Sequence, residues 1–160
     1  MMDAISKYEN INVNTVDQGT LIIMAYEGAI NFVKEAKERL AQNDYAGKSI
    51  NISNAVSIIN ELNARLNMEK GGETAKNLNK LYTFLSIHLT TANLKKDAHK
   101  LDESLVILQN LLNGWKIIIE KDRMQNQKST VSGVNSAINA ESVQSGISGK
   151  PVSGGIAVSA

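Results

Sequence analysis

Glu73 to Ala92 reads ETAKNLNKLYTFLSIHLTTA, and the placement of its apolar side chains decides the fold. Ala75, Leu78, Leu81/Tyr82, Leu85, Leu89 and Ala92 recur at three- and four-residue steps, the spacing of one face of an α-helix. Phe84, Ile87 and Thr91 fall on a neighbouring face, so this helix carries more apolar surface than one packing contact consumes. Gly71-Gly72 stands before it as a breaker, and Asn93-Leu94-Lys95-Lys96 reads as the turn after it.

The same period extends to both sides. Upstream, Asp44 is a good N-cap for a helix whose stripe is Ile52, Ala55/Val56, Ile59, Leu62 and Leu66. Before that, Asp17 opens a helix that places Ile22, Ala25/Tyr26, Ala29, Phe32/Val33, Ala36 and Leu40 on one face and ends near Asn43. Leu21, Met24 and Gly28 give its first half a second stripe, which must be covered from another side. Downstream, Leu101, Leu105, Leu108, Leu111/Leu112, Trp115 and Ile118/Ile119 define a fourth helix that frays near Lys121 to Gln125.

Helices of about 21 to 27 residues are about 30 to 40 Å long, and connections of a few residues make consecutive helices antiparallel. The expectation is an all-α chain: an antiparallel up-down-up-down four-helix bundle over 17–127, preceded by an extended N-terminal arm over 1–16. The arm is rich in Asn, and its Ile5, Tyr8, Ile11 and Val13 can pack on the bundle. From Lys128 to Ala160 the chain holds 8 Ser, 5 Gly, its one Pro and no aromatic residue, which predicts a flexible tail over 128–160.

Composition narrows the function. In 160 residues there is no cysteine, which removes disulfide scaffolds, thiolate zinc sites and cysteine nucleophiles. Seventeen basic against 16 acidic side chains give a net charge of +1, so no basic field for nucleic acid exists. The longest apolar run, Leu21 to Tyr26, is far shorter than the ~20 residues of a membrane span. A soluble, unprocessed chain is expected, and the lack of cysteine fits a cytoplasmic one while leaving the compartment open.

Catalytic chemistry has little to stand on. The two histidines, His88 and His99, lack metal-ligand spacing, and no glycine-rich phosphate loop occurs. Catalytic, cofactor-binding and metal residues are therefore all read as none. Ala98-His99-Lys100-Leu101 is similar to the start of a histidine phosphotransfer motif, but Asp102-Glu103 follow where that motif has Lys-Gly. Two carboxylates repel an incoming phosphoryl group. The surplus apolar faces point instead to a partner helix, or to a structural or regulatory bundle that self-associates as a weak homodimer.

Four stretches carry a family resemblance: Ile5-Ser6-Lys7-Tyr8 in the arm, TVDQGTLIIMAYEGAI (Thr15 to Ile30), MEKGGETAKNLNKLY (Met68 to Tyr82), and ANLKKD (Ala92 to Asp97) leading to Leu101, Leu108 and Trp115. In order and spacing they resemble the flagellar export chaperone family FliS. Gln18 replaces a usual first-turn proline, Asp17 a serine and Ala25 a leucine; Asp17 still caps, and Ala25 alters the groove rather than the fold. The resemblance does not reach past Lys128.

The resemblance implies a non-enzymatic chaperone that binds the C-terminal segment of flagellin, prevents its premature polymerisation and delivers it to the type III flagellar export apparatus. Placement of the apolar side chains at the Gly71-Gly72 end of the bundle predicts the client groove, bordered by helices two and three with a helix-one contribution: Leu21, Ile22, Ala25, Leu62, Leu66, Asn77, Leu78, Leu81, Tyr82 and Leu85. Ile5, Tyr8 and Ile11 become a displaceable cover and a contact for an export-gate component.

Overall fold

The computed structural model describes residues 17–149, with side-chain environments described as far as residue 139. Four α-helices make up the described chain: α1 (Gln18–Ala41), α2 (Tyr45–Ala64), α3 (Met68–Lys95) and α4 (Ala98–Gly149). Among the described residues there is no strand.

Each helix starts where a side chain satisfies its orphan amide groups. The Asp17 carboxylate accepts from the Thr20 amide at 2.7 Å, opening α1. Asp44 accepts from the Gly47 amide at 2.9 Å, opening α2. A β-carbon at position 47 would lie 2.3 Å from Asp44 Oδ2, so this cap needs glycine there. At the other end of the α1–α2 connection Asn43 is left-handed, with φ 59°, a conformation asparagine tolerates better than most residues.

The break expected at Gly71-Gly72 is a kink inside α3 rather than its start. Asn67 accepts from the amides of Glu69 and Lys70, which holds one helical turn upstream of the glycines. Gly72 then turns the axis with φ 54° and ψ −134°, a region open to glycine alone. The turn predicted over 93–96 is shorter than expected. Helix α3 runs through to Lys95, left-handed Lys96 closes it, and Asp97 accepts from the amides of His99 and Lys100 to open α4.

Polar bonds fix helix directions. Between α2 and α3, Ser49 Oγ donates to Asn93 Oδ1, Ser86 Oγ to Asn60 Oδ1 and Asn79 Nδ2 to Asn63 Oδ1, each at 2.9 Å. Numbers rise along one helix as they fall along the other, so the pair is antiparallel. Trp115 with Tyr26 and Asp102 with Lys37 set α4 antiparallel to α1 in the same way. The core between them takes Tyr26, Ala29 and Val33 from α1, Ile52, Ile58 and Ile59 from α2, Leu85 and Leu89 from α3, and Leu101 and Leu108 from α4. Fully buried Ala25, Ala29 and Ala36 on α1 let neighbouring helices approach closely. The second stripe of α1 is covered: Leu21 and Gly28 are buried and Met24 half-buried.

One compact unit ends at Ile117, and Ile118 begins another. Within the second unit the helix continues to Gly149, a helical geometry that the composition from 128 onward does not announce. Ser and Gly cost only a fraction of a kcal/mol to about 1 kcal/mol each in a helix, and the proline that would stop it stands only at position 151. Residues 120–139 are all exposed, so helix geometry persists there without burial. Residues 150–160 of the expected tail, and the arm over 1–16, lie outside the described residues.

Candidate functional site

Within the packed unit, three helices meet in a polar node. Tyr26 of α1 and Tyr82 of α3 are 0% and 2% exposed, and their hydroxyls are hydrogen-bonded to each other. The Trp115 indole of α4 donates to Tyr26 Oη at 3.0 Å. Burial raises both phenols above their usual range; beside Tyr26, the neighbouring Tyr82 adds to the effect. At the pH of a cell both are neutral, so the node is a hydrogen-bonded clamp and not an acid or base.

A second polar anchor lies where α2 begins and α3 ends. Lys48 is 3% exposed and its ammonium donates to the Asn93 carbonyl at 2.8 Å, a cation at a helix C-terminus. Burial, and then Lys96, lower its proton affinity. Lys96 in turn sits 3.9 Å from the Tyr45 ring centroid, a cation–π contact.

The histidines do not assemble a reaction centre. His88 Nε2 is 3.0 Å from Glu103 Oε1 and its ring stacks on Phe84. The His99 side chain is 81% exposed with Glu103 Oε2 at 3.9 Å. Among the described residues no three His, Cys, Asp or Glu side chains are placed to hold a metal, and no helix is long and apolar enough to cross a membrane.

The client residues expected from sequence separate into three environments. Ala25, Tyr82 and Leu85 belong to the core, and Leu21 and Leu62 are buried as well. Ile22, Leu66 and Leu78 are partly buried against the core, and Leu81 is half-buried. Asn77 is exposed. Ile5, Tyr8 and Ile11 lie outside the described residues.

Apolar surface is uncovered elsewhere. Phe84, Ile87 and Leu94 are 46%, 62% and 79% exposed and share the face of α3 turned away from Leu85 and Leu89. Their spacing of three and ten residues was legible as the second stripe of that helix, although Leu94 reads as turn until α3 is seen to run through it. Three apolar side chains are thus left uncovered along one water-facing side of the helix. Fold and surface together define a helical bundle held by internal polar clamps, with an apolar stripe left outside.

Comparison with known proteins gives that class its particular member. Residues 1–122 match the family described as Flagellar protein FliS. The flagellar secretion chaperone FliS of Salmonella typhimurium is 38% identical over 109 residues, 68% of this chain and 81% of the relative. That of Bacillus subtilis is 30% identical over 116 residues, 72% and 86% respectively, and FliSB of Pseudomonas aeruginosa is 30% identical over 118 residues, 71% and 94%. This chain belongs to the FliS family of flagellar secretion chaperones, and hence among chaperones rather than enzymes. Residues 123–149 of α4 lie beyond the family match.

Proposed function

We propose that this chain is the cytoplasmic escort of flagellin. It binds the C-terminal segment of flagellin, keeps that segment from polymerising, and delivers it to a component of the export gate. The observation that carries the reading is the uncovered stripe Phe84, Ile87 and Leu94 on α3 of a chaperone-family bundle. An amphipathic client helix lays its apolar face on such a row in helix-on-helix recognition. Partly buried Leu66, Leu78 and Leu81 border the core stripe near the kinked end of α3 and offer the client a second, shallower contact. Buried Ala25, Tyr82 and Leu85 support it from below. In this reading Ile5, Tyr8 and Ile11 cover the surface until the client arrives, and Tyr8 then meets the export gate.

The experiment is Ile87→Glu, with Phe84→Ser beside it, against a flagellin C-terminal peptide by calorimetry. Both side chains are at least 46% exposed, so the thermal midpoint should stay within 2 °C of the parent while affinity falls at least tenfold. Unchanged affinity in both folded variants overturns the placement. A parent chain that binds no flagellin peptide, yet loses mass on dilution, would establish the self-associating bundle instead.

A further inference from the structure

The groove between α1 and α4 differs from the seam between α2 and α3. The α2–α3 seam is stitched by the Ser49–Asn93, Asn60–Ser86 and Asn63–Asn79 bonds. The α1–α4 groove opens a cavity of about 370 Å³, with the Tyr26–Trp115 bond and the Lys37–Asp102 pair joining these helices elsewhere along their length. Its floor is apolar, Ile30 and Leu112 being 5% and 8% exposed. Its rim holds Glu27, Asn31 and Lys34 on α1 and Gln109 and Asn113 on α4. None of these five side chains has a hydrogen bond or ion pair among the described residues.

From this we infer a second docking site, for an extended polypeptide segment of polyproline-II type that carries a basic and an acidic side chain three residues apart. Three uncommitted carboxamides, each with donor and acceptor, suit a partner with free backbone N–H and C=O groups. A helix has spent those groups on itself; a polyproline-II segment has none bonded internally. Glu27 and Lys34 are seven residues apart on α1, about 10.5 Å along its axis. In a polyproline-II segment residues i and i+3 return to one edge about 9.3 Å apart, so a base meets Glu27 while an acid meets Lys34. The residues between them turn toward Ile30 and Leu112. This site is independent of the client reading, since it shares no residue with the α3 stripe.

The test uses the full chain, labelled with nitrogen-15, and an acetylated, amidated peptide with Ser-Lys-Pro-Val-Glu-Ser at its centre. Titration should move the side-chain amide resonances of Asn31, Gln109 and Asn113. The double reversal Glu27→Lys with Lys34→Glu, checked for unchanged circular dichroism, should weaken binding at least tenfold, and a peptide with its Lys and Glu exchanged should restore it. The inference fails if those amides do not shift, if the reversal leaves affinity unchanged, or if a stapled helical peptide of the same composition binds more tightly.

Discussion

Replacing Tyr26 with phenylalanine deletes one oxygen and strands two other groups. Tyr26 Oη bonds both to the Tyr82 hydroxyl and to the Trp115 indole, so the variant leaves a buried hydroxyl and an indole N–H unpartnered. A net hydrogen bond contributes about 1 kcal/mol, and an orphaned buried polar group costs about 1–3 kcal/mol, so Tyr26→Phe should destabilise by about 2–4 kcal/mol. Tyr82→Phe removes the bond between the two phenols and a lesser interaction with Trp115, while the indole keeps Tyr26 Oη as its acceptor. Three donor hydrogens face two oxygens in this node, so one hydroxyl proton lacks an acceptor there already, and deleting Tyr82 Oη also deletes one hydroxyl. The expected cost is about 1 kcal/mol or less. With roughly 3–5 °C per kcal/mol for a unit of this size, the midpoints should fall by about 10 °C and about 3 °C. Urea unfolding followed by Trp115, the one tryptophan, measures both, and the double variant should cost less than the sum because the pair is coupled. If Tyr82→Phe costs as much as Tyr26→Phe, the assignment of Tyr26 as the centre of the node is wrong.

Gly72→Ala should cost about 1–3 kcal/mol, because φ 54° with ψ −134° strains any side chain even where the surrounding space is open; thermal melts by circular dichroism test it, and no loss would mean that the kink relaxes. Both buried phenols have folded-state pKa values above the ordinary value of 10.0, so their contribution is complete below pH 10 and is lost as pH rises through the folded values. Alkaline titration at 295 nm should therefore show the last tyrosines ionising together with unfolding, and free ionisation of every tyrosine in a folded chain would refute their burial. Removing 128–160 should change the melting midpoint of the remaining chain by less than 2 °C, given that residues 120–139 are exposed throughout; a larger drop would mean that the extension carries tertiary contacts.

Helix number, caps and the core stripe were readable because they depend on local period and local hydrogen bonding. Asp17 and Asp44 cap as expected, since an N-cap bond spans three residues and needs no tertiary information. Tyr82 was harder. Its place in the sequence puts it at the edge of a stripe, and only the hydroxyl of Tyr26, 56 residues away, makes full burial of a phenol affordable. Gly71-Gly72 was legible as punctuation but not as a kink, because the cap at Asn67 preserves a turn upstream. The helix beyond 128 escaped notice for a different reason. Composition reports how little such a segment buries, whereas backbone geometry is a separate property. The ten residues expected to line the client groove mix support with surface, since a residue pattern does not say which side of a stripe faces water.

The stitched α2–α3 seam sets an order of events in folding. Its bonds span 16, 26 and 44 residues, while the Trp115–Tyr26 bond spans 89. Short loops close at lower entropic cost than long ones, and chains with local contacts fold faster. The two short hairpins, α1–α2 and α2–α3, therefore close before α4 is joined to α1. In a refolding experiment the far-ultraviolet signal rises ahead of Trp115 fluorescence, because the indole reports the last closure of the chain rather than its first.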